Sequence, residues 1–236
     1  MICMIALALA IGFPVAITST PFQDSSAQSQ KSKKNKGLTD DEVTFIEAAR
    51  SGDNETVKRF LAAGLNVNLL DKRDNELSTI LMVAAMAGKT DTTKLLIANG
   101  ARVNDKTKLG RTALTWAAWR GFTDTVQALL DAGAEVNSRD QNGGSPLNFA
   151  VSRGRTQTVG VLLKAGANPN FHHTETGQTA LIDAVVRGYI EIVQILVDNG
   201  AKVNEQDLAG RKPVDWARRV NRPDIENVLR KASAKG

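Results

Sequence analysis

Cysteine occurs once in the 236 residues, as Cys3, so the chain can form no internal disulfide and no CxxC metal or redox pair. Histidine occurs twice, at the adjacent positions 172 and 173, which leaves almost nothing for imidazole catalysis or a histidine-rich metal centre. Nucleophile-elbow, P-loop and dinucleotide-type glycine motifs are also missing. These absences remove most enzyme classes. The expectation is a chain that is not an enzyme, holds no cofactor or metal, and takes no small-molecule substrate. What is present has the profile of a soluble globular protein, with 42% apolar and 23% charged residues, enough for one sizeable domain or two small ones.

The net charge of +5 is concentrated at one place. Lys31, Lys33, Lys34 and Lys36 supply four positive charges, and Asp24 is the only charge before them. Setting those aside leaves +2 for residues 37–236. The basic balance is thus largely a property of a short stretch, not a nucleic-acid signal by itself.

Residues 1–27 open with an uncharged apolar run from Ile2 to Ile17, followed by small polar residues. Ser25-Ser26-Ala27 offers small side chains for a cut after Ala27, and the segment resembles a secretory signal peptide. The run is short for a membrane span and is interrupted by Gly12 and Pro14. An uncleaved amino-terminal membrane anchor is the alternative. No Lys or Arg precedes the run, and the lysines after it oppose translocation under the positive-inside rule. The expected location is periplasmic or secreted, in a bacterium, with residues 28–37 as a disordered basic tether.

Beyond the tether the chain repeats itself. The segments "NGARVN" (99–104), "AGAEVN" (132–137), "AGANPN" (165–170) and "NGAKVN" (199–204) recur at 33, 33 and 34 residues. "TILMVAA" (79–85), "TALTWAA" (112–118), "SPLNFAV" (145–151) and "TALIDAV" (179–185) recur in step, each followed at a fixed offset by Gly88, Gly121, Gly154 or Gly188. A degenerate unit precedes them at 45–68 and another follows at 210–232.

This pattern resembles the ankyrin repeat, with its T-P-L-H-x-A-A core, central glycine and G-A-x-V-N ending. The resemblance covers 38–232, in units of about 38–71, 72–106, 107–139, 140–173, 174–206 and 207–232, with 233–236 as a tail. It implies an all-α solenoid of helix-turn-helix units joined by short β-hairpin fingers. The residue types agree. Thr112 and Ser145 are N-cap types, and Pro146 suits a first helical turn. The alanine pairs let helices approach closely, Gly121 and Gly133 suit a left-handed helix end, and Val126, Leu129 and Leu130 form an apolar stripe. The chain departs from the family in three places. The His slot holds Met82, Thr115, Asn148, Ile182 and Asp215; the finger "NLLDKRDNELS" (68–78) is three residues longer than its counterparts; and the finger holding His172 is longer by one. The first unit starts with acidic residues, as a helix dipole favours, and both end units are atypical, as exposed caps must be.

In this register Trp116 shares a slot with Trp216, Phe149 and Asp183, and is expected to be packed. Trp119 shares one with Met86, Ser152, Val186 and Arg219, a slot that in ankyrin-like proteins lines the concave surface where partners bind. Trp119 is therefore the leading contact, with packing against Met86 as the alternative. Arg120, Arg153 and Arg187 occupy the following slot in three consecutive units, Arg50 and Arg219 lie one residue from it, and Arg111 and Arg211 are equivalent finger residues. Stacked at the 8–10 Å spacing typical of helices, they would form a basic ladder within about one Debye length per rung. The same arginines could instead serve the helix dipole at each inner-helix end. His172, His173 and Glu175 crowd one finger, but adjacent residues chelate poorly and no metal is assigned. Asp183 and Asp215, at helix starts, are expected to be caps.

The functional expectation is a monomeric, non-catalytic protein–protein interaction scaffold whose partner has an acidic surface. It would bind through the concave inner-helix face and fingers, using Trp119, Arg120, Arg153, Arg187, Arg111, Arg211 and Met86. The alternative is a binder of anionic surfaces or nucleic acid through the arginine row and lysine tether, although the aromatics do not alternate with basic residues as a stacking platform requires. Membrane contact is expected only if the amino-terminal segment is retained.

Overall fold

The computed structural model describes residues 37–234; the leader expected over 1–27 and nearly all of the tether expected over 28–37 lie outside the described residues. The described residues form twelve helices in six pairs: α1 Asp40–Ser51 with α2 Asn54–Ala62, α3 Ile80–Met86 with α4 Thr90–Ala98, α5 Ala113–Arg120 with α6 Thr123–Asp131, α7 Pro146–Ser152 with α8 Thr156–Lys164, α9 Ala180–Val186 with α10 Ile190–Asp198, and α11 Pro213–Arg219 with α12 Pro223–Ser233. Odd-numbered helices pack on odd, even on even, and the members of each pair on one another. This is the helical repeat solenoid that the resemblance implied. Among the described residues no helix is long and apolar enough to cross a membrane.

Five of the six inner helices start at a hydroxyl, and α11 starts at Lys212. The side chains of Thr39, Thr79, Thr112, Ser145 and Thr179 accept from the backbone N–H three residues on. The substituted His slot closes the box in return: the Thr112 N–H donates to Thr115 Oγ1 (3.3 Å), Ser145 N–H to Asn148 Oδ1 (3.1 Å) and Lys212 N–H to Asp215 Oδ2 (3.0 Å). Asp215 is thus the expected cap. Asp183 is not: it lies one residue deeper, and its carboxylate pairs with Arg187 instead.

Burial follows the repeat. Leu81, Leu114, Leu147 and Leu181 occupy one slot and are at most 1% exposed, and the adjacent small pairs Ala84-Ala85, Ala117-Ala118, Ala150-Val151 and Ala184-Val185 are fully buried. Each buried leucine contributes about 1.5–3 kcal/mol, and the alanines keep the layers close enough to realise it. Gly121 and Gly133 end their helices at φ 83° and 82°, as expected of left-handed caps.

Two hydrogen-bonded ladders tie unit to unit. In the first, the asparagine closing each G-A-x-V-N segment reaches the next unit. Asn104 Nδ2 donates to the Gly133 carbonyl (3.1 Å) while its Oδ1 accepts from Glu135 N–H (2.9 Å). Asn137 makes the same pair with Gly166 and Asn168 (3.0 and 2.8 Å), and Asn170 with Gly200 and Lys202 (3.1 and 2.9 Å). In the second, the first residue of an outer helix bonds a buried threonine of the next: Asn54 with Thr92 (2.7 Å), Thr90 with Thr125 (2.8 Å), Thr123 with Thr158 (3.0 Å). It stops where Ile192 takes the threonine slot.

The fingers differ from expectation. Among the described residues only the first forms paired strands, β1 Leu70–Asp71 antiparallel to β2 Ser78–Thr79, with Leu70 opposite Thr79. That finger has the three additional residues. The shorter ones close as turns and spend one backbone N–H each on the preceding finger: Lys108 on Glu76, Gln141 on Leu109, Thr174 on Asn142 and Leu208 on Thr176, at 3.0–3.1 Å.

Candidate binding face

The inner helices and fingers present one shared face, on which the expected contact residues fall into two groups. The first surrounds Trp119, half-buried at the end of α5. Its ring meets Trp116 edge-on, with centroids 6.0 Å apart and planes at 83°. Arg120, from the same helix, and Arg153, at the end of α7, place their guanidiniums 4.8 and 4.6 Å from the Trp119 ring centre. Arg155, the residue opening α8, lies over Gly121 and directs Nε at the Trp119 carbonyl (3.5 Å). These four residues bound a hollow of about 160 Å³. Arg120, Arg153 and Arg155 are exposed, and among the described residues none has a carboxylate within ion-pair distance.

The second group is neutralised internally. Arg111 lies between finger and helix, 22% exposed, with Glu76 at 3.0 Å and Asp140 at 3.6 Å, and its guanidinium rests 5.3 Å from Trp116 and 5.4 Å from Phe149. Arg211 pairs with Asp207 (3.0 Å) over Trp216. Arg187 pairs with Asp183 (2.8 Å), and Arg50 with Glu47 and Asp71 (both 3.4 Å). The expected basic ladder is therefore not uniform. Among the described residues, charge without a carboxylate lies around Trp119 and, at the far end of the row, at Arg219, whose guanidinium sits 5.9 Å from the Trp216 ring, whereas Arg111, Arg187 and Arg211 are occupied by their own carboxylates. Met86 is half-buried at the end of α3.

A larger cleft of about 330 Å³ adjoins this region, lined by Asn148, Phe149, His173, Gln178, Asp183 and Arg187 among others. Burial pushes the Asp183 carboxyl above the usual carboxylate range, against the pull of Arg187 and His173. His173 stands where other fingers carry Asp71, Asp140 or Asp207, and its Nδ1 is buried without a hydrogen-bond partner among the described residues. His172 lies 3.9 Å from Glu205, and Glu175 is exposed. Among the described residues no group of three or more His, Cys, Asp or Glu side chains could hold a metal ion.

The two equivalent tryptophans have different polar fates. Trp216 donates its indole N–H to Asp207 Oδ2 (3.0 Å). Nine residues before Trp116 the same finger slot holds Thr107, whose hydroxyl bonds Glu76 (3.0 Å), and Trp116 Nε1 is left buried and unpaired among the described residues. Trp116 is packed as expected, at the cost of that hydrogen bond. Sequence reasoning missed Arg155. It belongs to the slot of Lys89, Phe122, Tyr189 and Arg222, whose side chains each cover the glycine of the preceding unit. That slot sits at the start of the outer helix, outside the inner-helix pattern that marked the other arginines.

Comparison with known proteins gives the same answer from a different direction. The family model described as ankyrin repeats (3 copies) matches residues 45–140 and 124–207. The human M-phase phosphoprotein 8 is 43% identical over 68 residues, 29% of this chain and 8% of that protein. Its mouse counterpart is 41% identical over the same length, and Protein HOS4 of Saccharomyces cerevisiae is 42% identical over 71 residues, 30% of this chain and 6% of that protein. The chain thus matches less than a tenth of the length of these curated relatives. With both family matches falling inside the stack of helix pairs, and the Thr/Ser caps, alanine layers and stapling asparagines placed as that repeat requires, this chain belongs to the ankyrin repeat family.

Proposed function

We propose that the chain is a non-catalytic scaffold that binds an acidic partner protein through the face shared by its inner helices and fingers, centred on Trp119, Arg120, Arg153 and Arg155. Ankyrin repeats generally mediate protein–protein interaction. The observation that carries the specific reading is the distribution of unpaired charge. Arg50, Arg111, Arg187 and Arg211 are each paired with a carboxylate of the chain itself, while Arg120, Arg153 and Arg155, beside a large half-buried indole, have none within ion-pair distance among the described residues. Trp and Arg together are the residue types that dominate binding hot spots, where truncation costs about 2 kcal/mol or more.

The test is capture by the immobilised full chain, beside a variant carrying Trp119→Ala, Arg120→Glu and Arg153→Glu whose helical circular dichroism is unchanged. The expected result is a protein retained by the first and lost by the second. Equal retention by both moves the binding surface away from this face. A nucleic-acid ligand would instead be lost on nuclease treatment and would weaken steeply with salt. We further propose export of the chain, on the strength of the Ile2–Ile17 apolar run and the Ser25-Ser26-Ala27 step. A mature amino terminus at Gln28 in the native cell supports it, and an intact Met1 in the cytosolic fraction overturns it.

A further inference from the structure

We propose that the hollow at Trp119 is a receptor for a phosphorylated serine or threonine side chain of the partner, an inference that rests on reading this face as protein-binding. Three guanidiniums reach it from three places in the fold: Arg120 ends α5, Arg153 follows α7 and Arg155 opens α8. Their combined formal charge is +3, with no carboxylate within ion-pair distance among the described residues. A Glu or Asp side chain cancels one of those charges. A phosphate monoester carries about −1.5 to −2 at neutral pH and offers three strong acceptor oxygens, one for each guanidinium fork. The planar fork of arginine also matches phosphate geometry, which lysine would not.

The three side chains are held before any ligand arrives. Arg120 and Arg153 rest on the Trp119 ring, and Arg155 is directed by the Trp119 carbonyl over Gly121. Less side-chain freedom is then lost on binding. A hollow of about 160 Å³ suits a head group rather than a helix or strand. The chain also contains its own contrast. Arg187 occupies the slot of Arg120 and Arg153 one unit further on, but Asp183, four residues earlier, fills its fork at 2.8 Å. In the two preceding units that earlier position is Trp116 or Phe149, and the arginine is left without an acid.

The experiment uses the isotopically labelled full chain, with the Trp119 indole N–H resonance and calorimetry as readouts. Its probes are a synthetic heptapeptide bearing central phosphoserine, the same peptide with Glu or Ser at that position, inorganic phosphate, and a short oligouridine. The expected result is a shifted Trp119 resonance and binding of the phosphopeptide about tenfold tighter than the Glu peptide, with none of the Ser peptide. Arg155→Gln and, independently, Arg120→Gln should each weaken the phosphopeptide about tenfold, whereas Arg102→Gln, which removes an exposed pair with Asp105, should leave it unchanged. Equal binding of the phospho and Glu peptides, no shift at Trp119, or tighter binding of oligouridine than of the phosphopeptide would each overturn the proposal, as would inorganic phosphate matching the whole peptide. Phosphatase treatment of the extract separates this inference from the scaffold reading. A partner captured equally after dephosphorylation removes the phosphate receptor and leaves the scaffold. Phosphopeptide binding without any captured partner does the reverse.

Discussion

Replacing Asn137 with alanine tests whether the asparagine ladder holds the array together or merely decorates it. Asn137, which closes the third unit, ties it to the outer-helix end of the fourth through two bonds, a donor to the Gly166 carbonyl at 3.0 Å and an acceptor from the Asn168 N–H at 2.8 Å. A net hydrogen bond contributes about 0.5–1.5 kcal/mol, so the pair is worth about 1–3 kcal/mol. The residue is exposed, and water can replace part of both bonds, which places the expected loss near the lower half of that range, about 1–2 kcal/mol. In urea, with a slope of about 2 kcal/mol/M, the midpoint should fall by about 0.5–1 M without a change of slope. Asn137→Asp sharpens the test. Its carboxylate still accepts from Asn168 but sets a second oxygen against the Gly166 carbonyl, so it should lose at least half as much as alanine. Asn204 makes one such outward bond, to Ser233 Oγ at 3.1 Å, and Asn204→Ala should cost less than Asn137→Ala. The measurement is equilibrium unfolding followed by far-ultraviolet circular dichroism. A loss below about 0.3 kcal/mol for Asn137→Ala, or an Asp variant as stable as the parent, would refute the ladder as a source of stability.

Two further outcomes follow from single positions. Gly133 and Gly88 both lie in the left-handed region, at φ 82° and 69°, but a β-carbon at Gly133 meets nothing within 4 Å whereas one at Gly88 would sit 2.8 Å from the Phe122 ring. Gly133→Ala should therefore cost about 1–2 kcal/mol of backbone strain, and Gly88→Ala about 1–3 kcal/mol more, an excess that Phe122→Ala should abolish in a double-mutant cycle of thermal melts; equal costs would refute the close approach. Asp207 is buried, which opposes its charge. Yet the Arg211 N–H, the Trp216 indole, the Ala209 N–H and the Arg211 guanidinium together hold its carboxyl below the usual range. A depressed folded value contributes stability above the ordinary carboxylate pKa of about 3.9, and that stability is lost as pH falls through the folded value. Asp207→Asn should be less stable than the parent at pH 7 by about 1–3 kcal/mol, with the gap narrowing in melts below about pH 4; a pH-independent gap would refute the assignment.

The solenoid was legible because each physical requirement recurs at the same offset. N-cap hydroxyls at Thr112 and Ser145, Pro146 in a first turn, the small pairs and Gly121 all stand where the structure uses them. The fingers were less legible, since a turn and a two-residue strand pair are built from the same residue types; only the longer loop at 68–78 has room for β1 and β2. The charge on the binding face was the least legible. Arg120 and Arg187 are indistinguishable by slot, and what separates them is a neighbour four residues back, Trp116 in one case and Asp183 in the other. That i, i+4 spacing was available as a signal that Arg187 would be self-paired. Arg155 could not be found from the inner-helix pattern, because it reaches the hollow from the next outer helix, across the glycine of the preceding unit.

Each internal unit presents an asparagine on one side and, on the other, a glycine carbonyl with an N–H two residues further on, and the staple does not depend on which unit supplies them. The joint is generic, so nothing in it fixes how many units the array contains. Removing or duplicating one whole period should bring an asparagine back to a glycine, whereas any other change of length inside a helix pair would bring it to the wrong residue. Insertions confined to a finger, such as the three residues at 68–78, escape this rule because they lie outside the joint. The repeat is in that sense a grammar for lengthening the protein without redesigning its seams, and the arginines around Trp119 are a message written in one place along it.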